Sequence, residues 1–265
     1  MITKRILTSS VLIGLAFLTL LHPFAWSLYV TIVIILGMRE LYGMVESKGV
    51  EIYKYFGMLI GFIIPLSIYF QFELGKGWEF IFIIGVLLSL FLLQFARTEG
   101  QAILGISSTL FGIFYVSWCG SFLVRIRLLG DGTSLVLFLI ATTKMGDVGA
   151  YLFGTRFGKT PLIPRISPKK SVEGAIGGFI LTILTAAACR GLIGDVTYTQ
   201  LIIIGLFIGI LAQVGDLSES LLKRDCNIKD SGNLLPGMGG ILDMADSLIF
   251  TAPAFYLYLV HIGRI

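Results

Sequence analysis

At 265 residues, with 56% hydrophobic and only 14% charged side chains, the chain is too apolar for a water-soluble domain, where about 25% of residues are charged. Its net charge of +4 comes without a basic arm or any interleaving of basic and aromatic residues, which argues against a nucleic-acid partner. Cys119, Cys189 and Cys226 form no Cys-x-x-Cys pair, and His22 and His261 sit far apart, each just outside an apolar run. Disulfide frameworks, zinc sites and histidine triads therefore have nothing to build on.

A membrane crossing needs about 20 apolar residues. Runs of that kind fall at about 6–21, 26–43, 55–72, 78–95, 102–123, 133–153, 172–193, 199–222 and 244–262. They predict an all-α, polytopic membrane bundle of about nine transmembrane helices. The first run follows a basic start but lacks a small-residue cleavage site, so it is expected to be retained as a span. Only residues 22–25 separate the first two runs, which leaves a re-entrant hairpin as an alternative. Trp26, Trp78 and Trp118 lie near run ends, where interfacial anchors are expected. Lys and Arg concentrate on one side, at Lys4, Arg5, Arg39, Lys48, Lys54, Arg97 and in the segments 154–171 and 223–243. Lys76, Arg125, Arg127, Arg190 and Arg264 fall on the other side. The positive-inside rule then predicts a cytoplasmic N-terminus, with both charged loops in the cytoplasm.

Residues 1–130 read as scaffold helices, chemically quiet and available for a homodimer contact. Arg39 with Glu40, and Arg97 with Glu99, read as solvated or snorkelling charges at span ends. Residues 131–265 differ. Lys144 and Asp147 lie inside an apolar run, either as a buried ion pair tying helices together or as a polar wall of a site. The segment Gly154–Thr160 has three residues between its glycines, one short of a phosphate loop, and follows no strand. Beyond it, Ser167, Lys169, Lys170, Ser171 and Glu173 lead into a glycine-rich helix; lysines, hydroxyls and a helix N-terminus together suit a phosphate.

The densest chemistry lies in 213–247, QVGDLSESLLKRDCNIKDSGNLLPGMGGILDMADS. Asp216 and Glu219, like Asp243 and Asp246, are spaced three apart, which puts each pair on one helix face. A charge at bilayer depth costs at least about 2.5–3.5 kcal/mol, so the acids are expected to hold something positive. Metal ions are the first reading; mutual neutralisation with Lys223, Arg224 and Lys229 is the alternative. The glycines from Gly237 to Gly240 would let backbone approach a phosphate.

These residues resemble the phosphatidate cytidylyltransferases, or CDP-diacylglycerol synthases. That family's signature is met in register by Ser220, Lys223, Arg224, Lys229, Asp230, Gly232, Pro236, Gly237, Gly239, Gly240, Asp243 and Asp246. Upstream, Asp147, Ala150, Tyr151 and Gly154 match a second family segment, and the likeness runs from about Lys144 to Pro253. Met238 and Met244 stand where the family carries histidine and arginine. The resemblance implies a membrane enzyme that joins CTP and phosphatidate into CDP-diacylglycerol and pyrophosphate, with magnesium as cofactor and a second cation possible. It implies Asp216, Glu219, Asp243 and Asp246 as metal ligands, with Lys223 also catalytic. Ser167, Lys169, Lys170, Ser171, Ser220, Arg224, Lys229, Asp230, Gly239 and Gly240 would bind substrate. A CTP-dependent lipid kinase and an ion-coupled transporter are the competing readings.

Overall fold

The computed structural model describes residues 2–72, 78–97, 101–194, 196–235 and 239–261. Pro236, Gly237 and Met238 lie outside the described residues, as do Lys76, Glu99, Arg264 and the side chains of Lys4, Arg5 and Trp78. The chain runs through α1 (Ile2–Leu20), α2 (Pro23–Glu46), α3 (Lys54–Tyr69) and α4 (Trp78–Phe95). Next, α5 (Ala102–Gly112) passes through a π-helical turn, Ile113–Trp118, into α6 (Cys119–Arg127). Then follow α7 (Gly132–Phe157), β1 (Pro161–Ile163), β2 (Ser167–Ser171), α8 (Val172–Ala188), α9 (Arg190–Ile193), α10 (Tyr198–Asp225) and α11 (Ile241–His261).

Among the described residues, four helical stretches are long and apolar enough to cross a membrane: Pro23–Glu46, Ala102–Arg127, Gly132–Phe157 and Tyr198–Asp225. Shorter apolar helices, among them Lys54–Tyr69 and Val172–Ala188, accompany them. The protein is thus a mostly helical, multi-pass membrane protein. The first two apolar runs are separate helices, because Pro23 opens α2 at its first turn and the His22 ring accepts from Phe24 N–H at 3.3 Å. Proline belongs there, where its missing N–H removes no helical hydrogen bond. Two expectations need correcting. The 154–171 segment is not plain loop, since β1 and β2 pair antiparallel as a short hairpin. Trp26 is no interfacial anchor: its ring is buried in the core, and its Nε1 donates to the Leu123 carbonyl at 3.1 Å.

Local signals set the helix ends that matter for function. Thr197 and Gln200 form a reciprocal capping box at the start of α10. At its end Asn227, at φ 56°, turns the chain so that Ile228 N–H reaches the Lys223 carbonyl at 2.9 Å. That left-handed asparagine closure fixes where Lys223 and Arg224 sit relative to the loop that follows. Ser171 caps α8 by accepting from Gly174 N–H at 3.1 Å, which joins the hairpin rigidly to the helix.

Helices α7 and α8 form the most extensive helix pair, with α10 packed on α8 and α11 on α10. Small residues make this possible, as is usual where membrane helices approach closely. A methyl group at Gly149 would lie 2.7 Å from both the Gly177 carbonyl oxygen and Leu181 Cβ. Gly149→Ala should therefore force α7 and α8 apart and cost about 1–3 kcal/mol. Gly43 has nothing within 4 Å of an added methyl, and Gly43→Ala should stabilise by roughly 0.5–1 kcal/mol through the backbone. Thermal unfolding of both variants in detergent checks the contrast.

Candidate active site

Four helices bring their polar residues to one end of the bundle. Lys144 on α7 places Nζ 3.1 Å from Asp147 Oδ2 on its own helix, and donates to Ser247 Oγ at 2.8 Å and the Met244 carbonyl at 3.0 Å on α11. Ser247 Oγ in turn donates to Asp147 Oδ2 at 3.1 Å. The pair is part-exposed and not buried, ties α7 to α11 through Ser247 and the Met244 carbonyl, and places Asp147 in the lining of a polar cavity of about 450 Å³. That cavity also meets Ser167, Lys169, Lys170 and Ser171 from the hairpin and Asp216 from α10. Lys170 Nζ stands 2.7 Å from Asp216 Oδ2 across it.

One turn along α10, Glu219 is fully buried and Lys223 Nζ lies 2.5 Å from its Oε2. The same ammonium also contacts Asp243 Oδ1. Asp243 Oδ2 accepts three further donors: Ser231 N–H at 2.9 Å, Ser231 Oγ at 2.8 Å and Gly240 N–H at 2.8 Å. Asp246, one turn on, is buried, and its Oδ1 accepts from Ser247 N–H at 2.5 Å. Gly215 permits this arrangement, since a methyl there would press on the Asp246 backbone and lie 3.3 Å from Ser247 Cα. The glycine beside Asp216 thus lets α10 and α11 bring their acids together.

A model described as the cytidylyltransferase family matches residues 3–262. The chain belongs to that family. It is 35% identical to the phosphatidate cytidylyltransferase of Synechocystis over 97% of this chain and 96% of that one. The Thermotoga maritima phosphatidate cytidylyltransferase is 30% identical over 96% of this chain and 94% of its own length. That of Bacillus subtilis is 40% identical over 55% of each chain.

In this cytidylyltransferase the expected site residues fall into two groups. Asp147, Ser167, Lys169, Lys170, Ser171 and Asp216 share the polar cavity. Glu219, Lys223, Asp243 and Gly240 form a connected knot beside it. Arg224 is tied at its Nε to the Ile166 carbonyl in the hairpin turn at 3.2 Å and at Nη1 to the Ile228 carbonyl at 3.1 Å. Ser220 is half-buried on α10, whereas Lys229 and Asp230 are exposed in the loop after it. Gly239 adopts φ +98°, a backbone state suited to glycine. Leu235 and Gly239 exchange both backbone hydrogen bonds. A methyl at Gly239 would lie 2.7 Å from Asp243 Oδ2. Glu173 accepts from Lys159 N–H at 3.0 Å and Thr160 N–H at 3.2 Å, and so holds the entry to the hairpin.

The residue that sequence reasoning missed is Glu40. Expected as a solvated or snorkelling charge, it is buried on α2 and accepts from Ile241 N–H at 3.0 Å and Leu242 N–H at 2.9 Å. Ser231 Oγ stands 3.1 Å from its Oε2. It thus satisfies the otherwise unpaired N–H groups that begin α11, where a negative charge is also favoured by the helix dipole. Its neighbour Arg39 is exposed, and Arg97 pairs with Glu51 at 3.6 Å while stacking on Tyr53. The available signal was the position of Glu40 before the apolar end of its run: a carboxylate there has to be paired.

Among the described residues, no three Asp, Glu, His or Cys side chains form a ready-made metal cluster. Magnesium does not need one, because it commonly takes one or two carboxylates and completes its shell with water and substrate phosphate. The donors present suit that habit. Asp243 Oδ1 faces Lys223 alone among its hydrogen-bond donors, and both Glu219 oxygens are buried without a well-directed hydrogen bond.

Removing the Glu40 carboxylate should strand the N–H groups of Ile241 and Leu242. At about 1–3 kcal/mol for an unsatisfied buried group, Glu40→Ala should lower the unfolding temperature clearly. Glu40→Gln keeps an acceptor and should fall between. Thermal unfolding with Ser231→Ala in a double-mutant cycle should show non-additivity, since both residues share contacts.

Proposed function

We propose that this protein converts CTP and phosphatidate to CDP-diacylglycerol and pyrophosphate at the cytoplasmic end of α7, α8, α10 and α11. The observation that carries the reading is the convergence of Lys144, Lys170 and Lys223 with Asp147, Asp216 and Asp243 at one end of a chain that belongs to the cytidylyltransferase family throughout. In the reaction a phosphate oxygen of the lipid attacks the α-phosphorus of CTP. A new P–O–P link forms, the α–β anhydride bond breaks, and the electron pair leaves with pyrophosphate. A phosphate monoester is largely dianionic at neutral pH, its second pKa being about 6. It needs no general base, and the absence of a histidine at Met238 is no obstacle.

The protein's part is positioning and charge neutralisation. Lys169 and Lys170, with the Ser167 and Ser171 hydroxyls, would hold substrate phosphate in the polar cavity. Ser171 keeps its O–H free to donate while its oxygen caps α8. Lys223 would draw charge from the leaving pyrophosphate, supported by Arg224 and Lys229 from the loop side. Ser220, Asp230, Gly239 and Gly240 shape the rim around them. Asp216 and Asp243 would be the principal magnesium ligands, with Asp246 and Glu219 next to them and room for a second cation. When bound, the metal supplies Lewis-acid stabilisation of charge on the triphosphate.

The catalytic unit in this reading is 131–265, with loops 154–171 and 223–243 facing the cytoplasm and Glu40 lent by the scaffold of 1–130. About nine crossings, a cytoplasmic N-terminus and residence in the cytoplasmic membrane follow from the run lengths and the Lys/Arg asymmetry. A homodimer through the N-terminal helices is the proposed assembly.

The test supplies phosphatidate and CTP labelled on its α-phosphate to purified protein, with and without magnesium. Label should enter the lipid only with magnesium, and Asp216→Asn and Asp243→Asn should each cost about a hundredfold or more, with folding checked by thermal unfolding. Transfer from γ-labelled CTP to a lipid alcohol, with no α-label in lipid, would replace this reading with a lipid kinase.

A further inference from the structure

We infer that Gln213 selects the base of the nucleotide, by accepting the 4-amino group of cytosine in the polar cavity, and that the Tyr151 ring covers that base. The inference rests on the cytidylyltransferase reading above and adds the residue that tells CTP from other nucleotides. Gln213 lies one turn from Asp216 on α10, and both line the cavity. Its Nε2 donates to the Ala175 carbonyl on α8 at 2.9 Å. A carbonyl oxygen only accepts, so this bond fixes the amide with its nitrogen toward α8 and its oxygen turned from it. Among the described residues, Gln213 Oε1 receives no hydrogen bond. An amide oxygen on a cavity wall inside an apolar helix calls for a donor from whatever enters.

Phosphatidate cannot supply that donor, because its glycerol and ester oxygens only accept. CTP can, through the 4-amino group of its base or its ribose hydroxyls. The surroundings of the amide favour the ring. Gly174, Ala175 and Gly178 give α8 a floor almost without side chains. Gly178 meets both walls: a methyl on it would lie 3.1 Å from Gln213 Nε2 and 3.3 Å from Ala150 Cβ. Gln213 is therefore level with the residue that precedes Tyr151. Tyr151 lines the same cavity from α7 and is 70% exposed, which leaves its ring face open to stack on a base. The slot ends inward at Thr182, which would obstruct a methyl on Gly146 and lies 3.6 Å from one on Gly209.

A flat floor, an aromatic face and one fixed acceptor suit a pyrimidine that carries an amino group. Uracil has a carbonyl in that place and would set oxygen against oxygen. Turning the amide over to suit uracil would aim Oε1 at the Ala175 carbonyl. The bond to Ala175 thus makes the acceptor selective, since a freely turning amide would serve either base.

Binding of labelled CTP and of labelled UTP, each with magnesium, is measured on the purified full-length protein in detergent. The proteins compared are wild type, Gln213→Met, Tyr151→Ala and Tyr151→Phe. Wild type should prefer CTP by about tenfold or more. Gln213→Met should weaken CTP roughly tenfold and leave UTP unchanged, and the retained UTP binding also shows that the variant is folded. Tyr151→Ala should weaken both nucleotides roughly fivefold or more, and Tyr151→Phe neither.

The inference is overturned by a wild type indifferent to the base, by equal losses of CTP and UTP in Gln213→Met, or by CTP binding unchanged in that variant. Unchanged binding in Tyr151→Ala would remove the stacking. Because the readout is binding, the two readings separate. Base-selective binding through Gln213 without cytidylyl transfer would sink the reaction and keep the base site. Cytidylyl transfer with the preference for CTP intact in Gln213→Met would sink the base site and keep the reaction.

Discussion

A charged group among membrane helices has to be paired, because hydrocarbon offers it neither water nor counter-ions. That constraint organises this protein. Lys223 is the centre of it, with Glu219 below on its own helix and Asp243 opposite on α11. Asp243 then reaches Ser231 and Gly240, Ser231 reaches Glu40, and Glu40 holds the first turn of α11. The chain of contacts runs from α10 through Asp243, Ser231 and Gly240 to α2, so the acids do not float as a loose cluster. Breaking one partner of such a buried set leaves another uncompensated, which is why these contacts work as a unit.

Close helix approach is the second requirement, and small residues meet it. Gly149 against Gly177 sets the α7–α8 distance, and Gly215 against the Asp246 backbone sets that of α10 and α11. The same approach leaves two spaces of different character on either side of Lys144 and Asp147. One is lined by lysines and hydroxyls of the hairpin, the other by the apolar faces of α1, α2 and α11.

Most of the polar cavity was legible in the sequence. Lys169, Lys170, Ser171 and Asp216 stood out because charged residues and hydroxyls at the ends of apolar runs call for a reason. The hairpin between Pro161 and Ser171 was not legible: its strands are short, and the prolines and lysines in them carry weak strand preference. Glu40 was misread for a related reason. Its partners Ile241 and Leu242 are some 200 residues away, and a backbone N–H leaves no mark in an amino-acid sequence. Trp26 looked like an anchor by position along its helix, but the helix face it occupies turns inward to Leu123.

By itself the sequence determined the membrane class, the family-bearing motif between Lys144 and Asp246, and the concentration of chemistry in the second half. These depend on composition, run length and local spacing, which are written directly in the order of residues. The tertiary structure decided which acid pairs with which base: Asp216 with Lys170 and not with Lys223, and Asp243 with Lys223 across two helices. It also decided that the quiet N-terminal half supplies Glu40 to the site and one wall of the apolar cavity. Pairing across helices depends on how small residues let those helices approach and rotate, and three-dimensional packing alone sets that.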